Sequence, residues 1–284
     1  MSDSPEAAGS SPGGGTWLRA LLGIAMITLG AGAFLIGSSL QQGGARAVGG
    51  NLPINEGAGD KTDINAHNSP TVARNPAMPS NIVVVNRIDT PRFSCGMHVS
   101  QDGGAAWKDV EIPFPAGEEL PERCFAPDAA FDGSGTLYVS FVTLYGQGNR
   151  PNAFWLSTST DQGKTLSTPA KIIGPAPPHT FQTRLIADPN RSGRIFVTWL
   201  QAQDTANLAF PGPGNPIMFL RSEDGGASWI GPATVSAKSR ARAVGPSPAL
   251  GPDGDLYVSY LDLGEDKLDY EGGHEGKGGE PYEG

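Results

Sequence analysis

The chain has 284 residues, with 40 Gly, 25 Pro and only 17% charged side chains, a balance that favours short strands and tight turns over long helices. Its net charge of −9 repels phosphate backbones and excludes nucleic acid as a partner. Two cysteines without a CxxC pair or a histidine cluster do not make a zinc site, so neither metal nor cofactor is expected.

Residues 1–16 are polar and rich in Ser, Gly and Pro, and read as a disordered N-terminal tail. The apolar run from Ala20 to Leu40 follows, flanked by Trp17 and Arg19. As a helix it spans roughly 32 Å, which matches a bilayer core, and the flanking pair suits an interface. The expectation is a transmembrane signal-anchor helix over 17–41. A cleaved signal peptide is the alternative, with Ala45-Arg46-Ala47 as its cleavage site. The length of the run and the charge of Arg46 favour the uncleaved anchor. Residues 42–66 then form a flexible Gly/Asn/Asp-rich linker.

From there the sequence repeats itself. SQDGGAAW (100–107), STDQGKTL (159–166) and SEDGGASW (222–229) share S-x-D-x-G-x-x-W, with Leu166 in place of Trp in the second. They recur about every sixty residues, the kind of period that marks a repeat architecture. The pattern encodes a hairpin turn. An Asp side chain accepts hydrogen bonds from nearby backbone N–H groups, and a glycine takes the positive φ. Ser100, Asp102 and Gly104, Ser159, Asp161 and Gly163, and Ser222, Asp224 and Gly226 are therefore structural residues. Trp107 and Trp229 are expected to carry their rings back into the sheet core. One carboxylate per turn is too few for calcium.

A second repeat precedes each turn. Leu137-Tyr-Val-Ser140, Leu256-Tyr-Val-Ser259, Ile195–Trp199 and Ile82–Val85 each follow a tight turn (DGSG, GPDGD, DPNRSG, NPAMPSN), which itself follows a short strand. Each unit reads as four antiparallel strands, the blade of a β-propeller. Blades cover roughly 68–113, 125–174 and 183–236. A fourth begins near Ser247 and gives two strands. The propeller thus runs over 67–263, about three and a half blades, with 264–284 as an acidic, Gly-rich loop or tail.

These turns, their spacing and the strands before them resemble the bacterial neuraminidase repeats (Asp boxes) of the sialidase superfamily. The resemblance implies a six-bladed propeller, of which this chain is a fragment. It also implies an exported domain: a single-pass protein of the cell membrane, the propeller outside. By resemblance the function is that of an exo-α-sialidase-type glycoside hydrolase. The alternative is a non-catalytic Asp-box propeller that binds glycan or protein partners. Sialidases also carry a Phe/Tyr-Arg-Ile-Pro segment before the first Asp box, and this chain has none; Asn86-Arg-Ile-Asp89 is the nearest string. Whether the chain is an enzyme stays open on these residues.

Alternation of the strands sorts the loops onto two faces. The tight turns share one, and the longer loops share the other, where ligands are usually met. Cys95 and Cys124 both lie toward the loop face, so a disulfide is favoured over two thiols there, as an exported location permits. Sialidases grip the substrate carboxylate with arginines, because guanidinium binds carboxylate bidentately. The ligand-face candidates are Arg92, Arg123, Arg150, Arg184 and Arg242, and Arg184 enters the inner strand of the third blade. Sialidase chemistry also needs an acid and a Tyr–Glu pair. The nearest carboxylates are Asp89, Glu118, Glu119, Glu122 and Asp128, with Tyr145 and Tyr270 as loop-face tyrosines. The catalytic set is left unassigned.

Overall fold

The structure, a computed structural model, describes Ile54 and residues 67–89, 93–115, 123–145, 150–173, 179–202, 215–237 and 243–262. All lie in the compact unit Leu52–Gly284. The expected tail, membrane helix, linker and acidic C-terminal segment fall outside these residues, apart from Ile54. Among the described residues no helix is long and apolar enough to cross a membrane.

The described residues are all β. Strands β1 (His67–Arg74), β2 (Ile82–Ile88), β3 (Ser94–Ser100) and β4 (Lys108–Asp109) form one sheet in chain order. The next two sheets repeat the plan. One holds β5 (Cys124–Phe131), β6 (Leu137–Tyr145), β7 (Arg150–Ser159) and β8 (Ala170–Ile173). The other holds β9 (His179–Ala187), β10 (Ile195–Ala202), β11 (Ile217–Ser222) and β12 (Ile230–Thr234). Strands β13 (Ala243–Leu250) and β14 (Leu256–Asp262) make a two-stranded fourth. Every pairing is antiparallel.

The second strand of each sheet is the packing unit. Alternate side chains of a strand point to opposite faces. In β6 and β10 both faces are covered and the strand reads as a near-continuous apolar run, whereas β14 leaves Tyr257 and Leu261 exposed. In β6, Leu137 and Val139 join Val83, Val85 and Met97 of the first sheet. Tyr138 and Val142 of the same strand join Ile195, Val197 and Trp199 of the third. Leu200 and Ile217 meet Ala243, Val258 and Tyr260 of the fourth. Each such side chain contributes about 1.5–3 kcal/mol when fully buried.

Polar struts lock neighbouring sheets together at the tight turns. Asp132 accepts hydrogen bonds from Ser134 and Thr136 of its own turn, from the Tyr138 hydroxyl (3.0 Å) and from the Gly193 amide of the next sheet (2.8 Å). The Gly133 amide donates to Asp188 O at 3.0 Å. Burial pushes the Asp132 carboxyl up, yet these donors together hold it below its ordinary value.

The three S-x-D-x-G turns share one geometry. The Ser hydroxyl donates to the Asp carboxylate and accepts the Gly amide, at 2.8 Å in the first turn and 2.9 Å in the second. The same carboxylate then accepts the amide of Ala106, Thr165 or Ser228. Hydrogen bonds from Ser159 and Thr165 pull Asp161 down to about 2, and those from Ser228 and Ser222 do the same for Asp224. The Ala106 amide and the Ser100 hydroxyl lower Asp102. The glycines have positive φ, +96° at Gly104, +84° at Gly163 and +91° at Gly226.

The aromatic position of the turn behaves in two ways. Trp229 and Leu166 pack against the inter-sheet cores, whereas Trp107 folds over its own turn, its Nε1 donating to Gly104 O at 3.1 Å. The expectation of a core-directed ring therefore holds for Trp229 and not for Trp107. Among the described residues the first sheet has no preceding sheet for its turn to sit on.

Candidate functional site

The inner strands β1, β5, β9 and β13 meet around an open cleft of about 570 Å³. Each bears the same irregularity. The register slips between Asn68 and Thr71 in β1, between Phe125 and Asp128 in β5, opposite Thr198–Leu200 in β9, and between Val244 and Ser247 in β13. At each slip one residue takes positive φ: Ser69 (49°), Ala126 (48°), Gln182 (50°) and Gly245 (65°). Such a conformation costs a non-glycine residue about 1–3 kcal/mol, and bulges of this kind re-aim a side chain. Thr183 Oγ1 donates to Ala126 O (3.3 Å) and the Gly245 amide donates to Gln182 Oε1 (2.6 Å), tying one bulge to the next.

Just past each bulge stands a polar residue that lines the cleft: Thr71, Asp128, Arg184 and Ser247. Asp128 is buried and joins two sheets. It accepts the Ala129 amide at 2.9 Å and the Leu185 amide of β9 at 2.8 Å. Burial raises its carboxyl above the ordinary range, and this outweighs the lowering by those amides, by Arg184 and by Thr71. Arg184 is exposed on the adjacent inner strand. The cleft thus sets a carboxyl whose value burial raises beside a guanidinium open to a ligand. A volume of this size falls within the usual range for small-molecule pockets. Among the described residues Asp128 is the only carboxylate lining it.

The other residues singled out from sequence lie elsewhere. Arg123 is half-buried at the entry to β5, and its carbonyl accepts the Leu144 amide at 3.1 Å. Arg150 opens β7 opposite Tyr145. Arg92, Arg242, Glu118, Glu119, Glu122 and Tyr270 lie outside the described residues. Asp89 is held by Arg87 and Asn68, and Arg87 lies over the Phe93 and Phe125 rings, 5.3 and 4.8 Å from their centroids. That cluster is saturated by its own contacts. Beside it Cys95 of β3 and Cys124 of β5 are disulfide-bonded, their Cα atoms 5.5 Å apart.

Thr71 and Ser247 escaped the sequence reading. Their signal is a proline directly before them or one residue beyond the bulge (Ser69-Pro70-Thr71, Ala126-Pro127-Asp128, Gly245-Pro246-Ser247). Proline within a sheet is confined to edges and bulges. A polar chain across the first sheet, buried at Asn86 and His98, also escaped it. His67 Nδ1 meets Asn86 Nδ2 (2.7 Å), Asn86 Oδ1 meets His98 Nε2 (2.9 Å), and His98 Nδ1 meets Asp109 Oδ1 (2.6 Å). It crosses all four strands and faces away from the second sheet. Among the described residues no three acidic, His or Cys side chains gather as a metal site.

No protein-family model matches the sequence, and no curated protein does. Solved structures do. An α-L-arabinanase of Penicillium chrysogenum complexed with arabinobiose superposes with a TM-score of 0.52 and 15% identity, over 68% of this chain and 57% of that one. An α-L-arabinofuranosidase from Fusarium graminearum, in complex with an iminosugar inhibitor, gives 0.52 and 13%, over 72% and 59%. A Hadza microbial sialidase gives 0.50 and 17%, over 69% and 42%. This chain therefore spans less than two thirds of each of them. At these identities the likeness is one of fold, the β-propeller.

Proposed function

We propose that this chain is part of a sialidase-type propeller, tethered outside the cell by a helix over 17–41, that binds the terminal sugar of a glycan in its axial cleft. The observation that carries the reading is the pairing of Asp128 and Arg184 on adjacent inner strands across an open cleft. Guanidinium and carboxyl groups together donate to and accept from sugar hydroxyls, and Arg184 can also meet a sugar carboxylate. The similar structures support it, being an arabinanase, an arabinofuranosidase and a sialidase. An exported location is supported by the apolar run and by the disulfide, which persists in oxidising compartments.

The test is calorimetric titration of the full chain with a panel of sialylated, arabinosyl and neutral oligosaccharides. Arg184→Ala should weaken the best ligand at least tenfold while the fold stays intact by circular dichroism. Unchanged affinity in Arg184→Ala would sink the assignment of the cleft. For the tether, carbonate extraction of membranes should leave the chain in the pellet, and release into the supernatant would contradict it.

Hydrolysis is the second reading, and the direction of the Asp128 shift favours it, because burial moves its carboxyl upward, towards the range in which a general acid works. Against it, the described cleft offers one carboxylate where ordinary glycosidases use two. Turnover of a fluorogenic sialoside that Asp128→Asn abolishes would establish hydrolysis. Binding without turnover leaves the binding function alone.

A further inference from the structure

Four polar side chains bridge the first sheet, one from each strand: His67 of β1, Asn86 of β2, His98 of β3 and Asp109 of β4. None of them lines the axial cleft. Asn86 and His98 are each 4% exposed, so their polar atoms must be satisfied within the sheet.

The acceptors along the chain place its hydrogens. A carboxylate oxygen only accepts, so His98 Nδ1, 2.6 Å from Asp109 Oδ1, carries a hydrogen. Asn86 has one donating and one accepting end. Its Nδ2 end faces the Arg87 carbonyl at 3.4 Å, and a carbonyl only accepts. Its Oδ1 end therefore faces His98 Nε2 at 2.9 Å, and that nitrogen must carry a hydrogen as well. In this arrangement His98 is an imidazolium, and Asp109 is the counter-charge that a buried cation requires. At the far end Asn86 Nδ2 donates to His67 Nδ1 at 2.7 Å, so that nitrogen carries no hydrogen.

The same atoms allow a second arrangement. If His98 releases its Nε2 hydrogen to solvent, a bare nitrogen faces Asn86 Oδ1 and two acceptors oppose each other. Half a turn of the Asn86 amide brings Nδ2 to His98 and Oδ1 to His67, and Oδ1 then calls for a hydrogen on His67 Nδ1. His67 supplies it by trading its Nε2 hydrogen for one on Nδ1 through solvent, so the one proton lost overall is that of His98. Gly96 leaves room for the turn. It pairs with Asn86 across the strands, and a Cβ there would stand 2.9 Å from Asn86 Oδ1 and 3.3 Å from His98 Nε2. Among the described residues of the four strands, the other charged group on this face is Arg74, at the register of Ile82 and held by Pro79 O at 2.9 Å. Arg87 and Lys108 stand at the registers of Cys95 and Val99, on the opposite face.

We propose that Asn86 is a proton-dependent switch: it admits one hydrogen between the two ring nitrogens that it separates, so His67 Nδ1 gains a hydrogen when His98 Nε2 gives one up. The proton state of a buried ring in β3 is thereby passed to the first residue of β1, two residues before the bulge at Ser69. The proposal is independent of what the axial cleft binds.

The test is NMR of isotope-labelled histidine rings in the full chain, followed through the titration of His98. The four rings are assigned by replacing each histidine in turn with Gln. His67 Nδ1 should be bare while His98 holds both its hydrogens. It should gain a hydrogen at the pH where His98 loses one, the reverse of what an ordinary histidine does as pH rises. Asp109→Asn removes the counter-charge at the half-exposed edge strand without touching His67. It should move both events to lower pH together, by about half a pH unit or more. A His67 ring that titrates as an ordinary histidine overturns the proposal. So does a His67 ring that stays put when Asp109→Asn moves His98, or a His98 ring with a bare nitrogen at every pH.

Discussion

Replacing Gly163 by Ala measures how the second sheet's turn is held against the first. The backbone there has φ +84°, so any side chain is strained, at a cost of about 1–2 kcal/mol. The new methyl also meets three buried side chains at 3.2–3.4 Å, namely Leu137, Met97 and Val83. Crowding in a packed core adds about 1–3 kcal/mol, giving about 2–5 kcal/mol in all. Gly104 is the internal control. Its φ is +96°, but a Cβ there would meet only the Trp107 ring, at 3.7 Å. Gly104→Ala should cost the backbone strain alone, about 1–2 kcal/mol. At about 2–4 °C per kcal/mol for a domain of this size, Gly163→Ala should lower the melting temperature by about 4–20 °C and Gly104→Ala by about 2–8 °C. Differential scanning calorimetry of the two variants side by side checks it. Equal shifts, or a larger one for Gly104→Ala, would refute the seating of the turn on Met97 and Val83.

Acid should act through the turns. The folded values of Asp102, Asp161 and Asp224 lie below the unfolded value of about 3.9, so their stabilisation is complete above it and is lost as pH falls from about 4 towards 2. Denaturant midpoints of the triple Asp→Asn variant should fall less steeply over that range than those of the native chain, and parallel curves would contradict it. Asp128 works the other way. Its raised value means stability is present at low pH and lost as pH rises through the folded value. Asp128→Asn, whose amide oxygen can still accept the Leu185 amide, should remove that loss on the alkaline side in the same assay. A native-like slope in the variant would contradict the assignment. Cys95 and Cys124 are 29 residues apart, and losing a crosslink across such a loop costs about 3–4 kcal/mol of chain entropy. Cys95→Ala/Cys124→Ala should therefore melt well below the oxidised native chain, and an unchanged midpoint would mean that the crosslink stabilises nothing.

The blades were legible in the sequence because their signals are local. A serine, an aspartate and a glycine within five residues define a turn by themselves. Leu-Tyr-Val-Ser carries enough β-branched and aromatic bulk to mark a strand. The axial site was legible only in part. Arg184 was traceable because it enters an inner strand, and Asp128 stood among the carboxylates without a role. Their meeting depends on bulges at Ala126 and Gln182, which sequence periodicity does not encode, since a slip of register leaves the apolar pattern almost intact. Trp107 shows the converse. The motif alone cannot say whether a neighbouring sheet is present to receive the ring.

The four bulges have a consequence for how such a chain can diversify. They hold Thr71, Asp128, Arg184 and Ser247 at matching heights on separate copies of one scaffold, so hydroxyl, carboxyl, guanidinium and hydroxyl occupy interchangeable sockets. The walls that carry the sheets together lie on other residues, Val139, Val197 and Val258 among them. Chemistry at the axis can therefore be rewritten with few changes, the Asp128 socket excepted because its carboxylate also ties β5 to β9, while the duplicated architecture behind it goes on being copied unchanged.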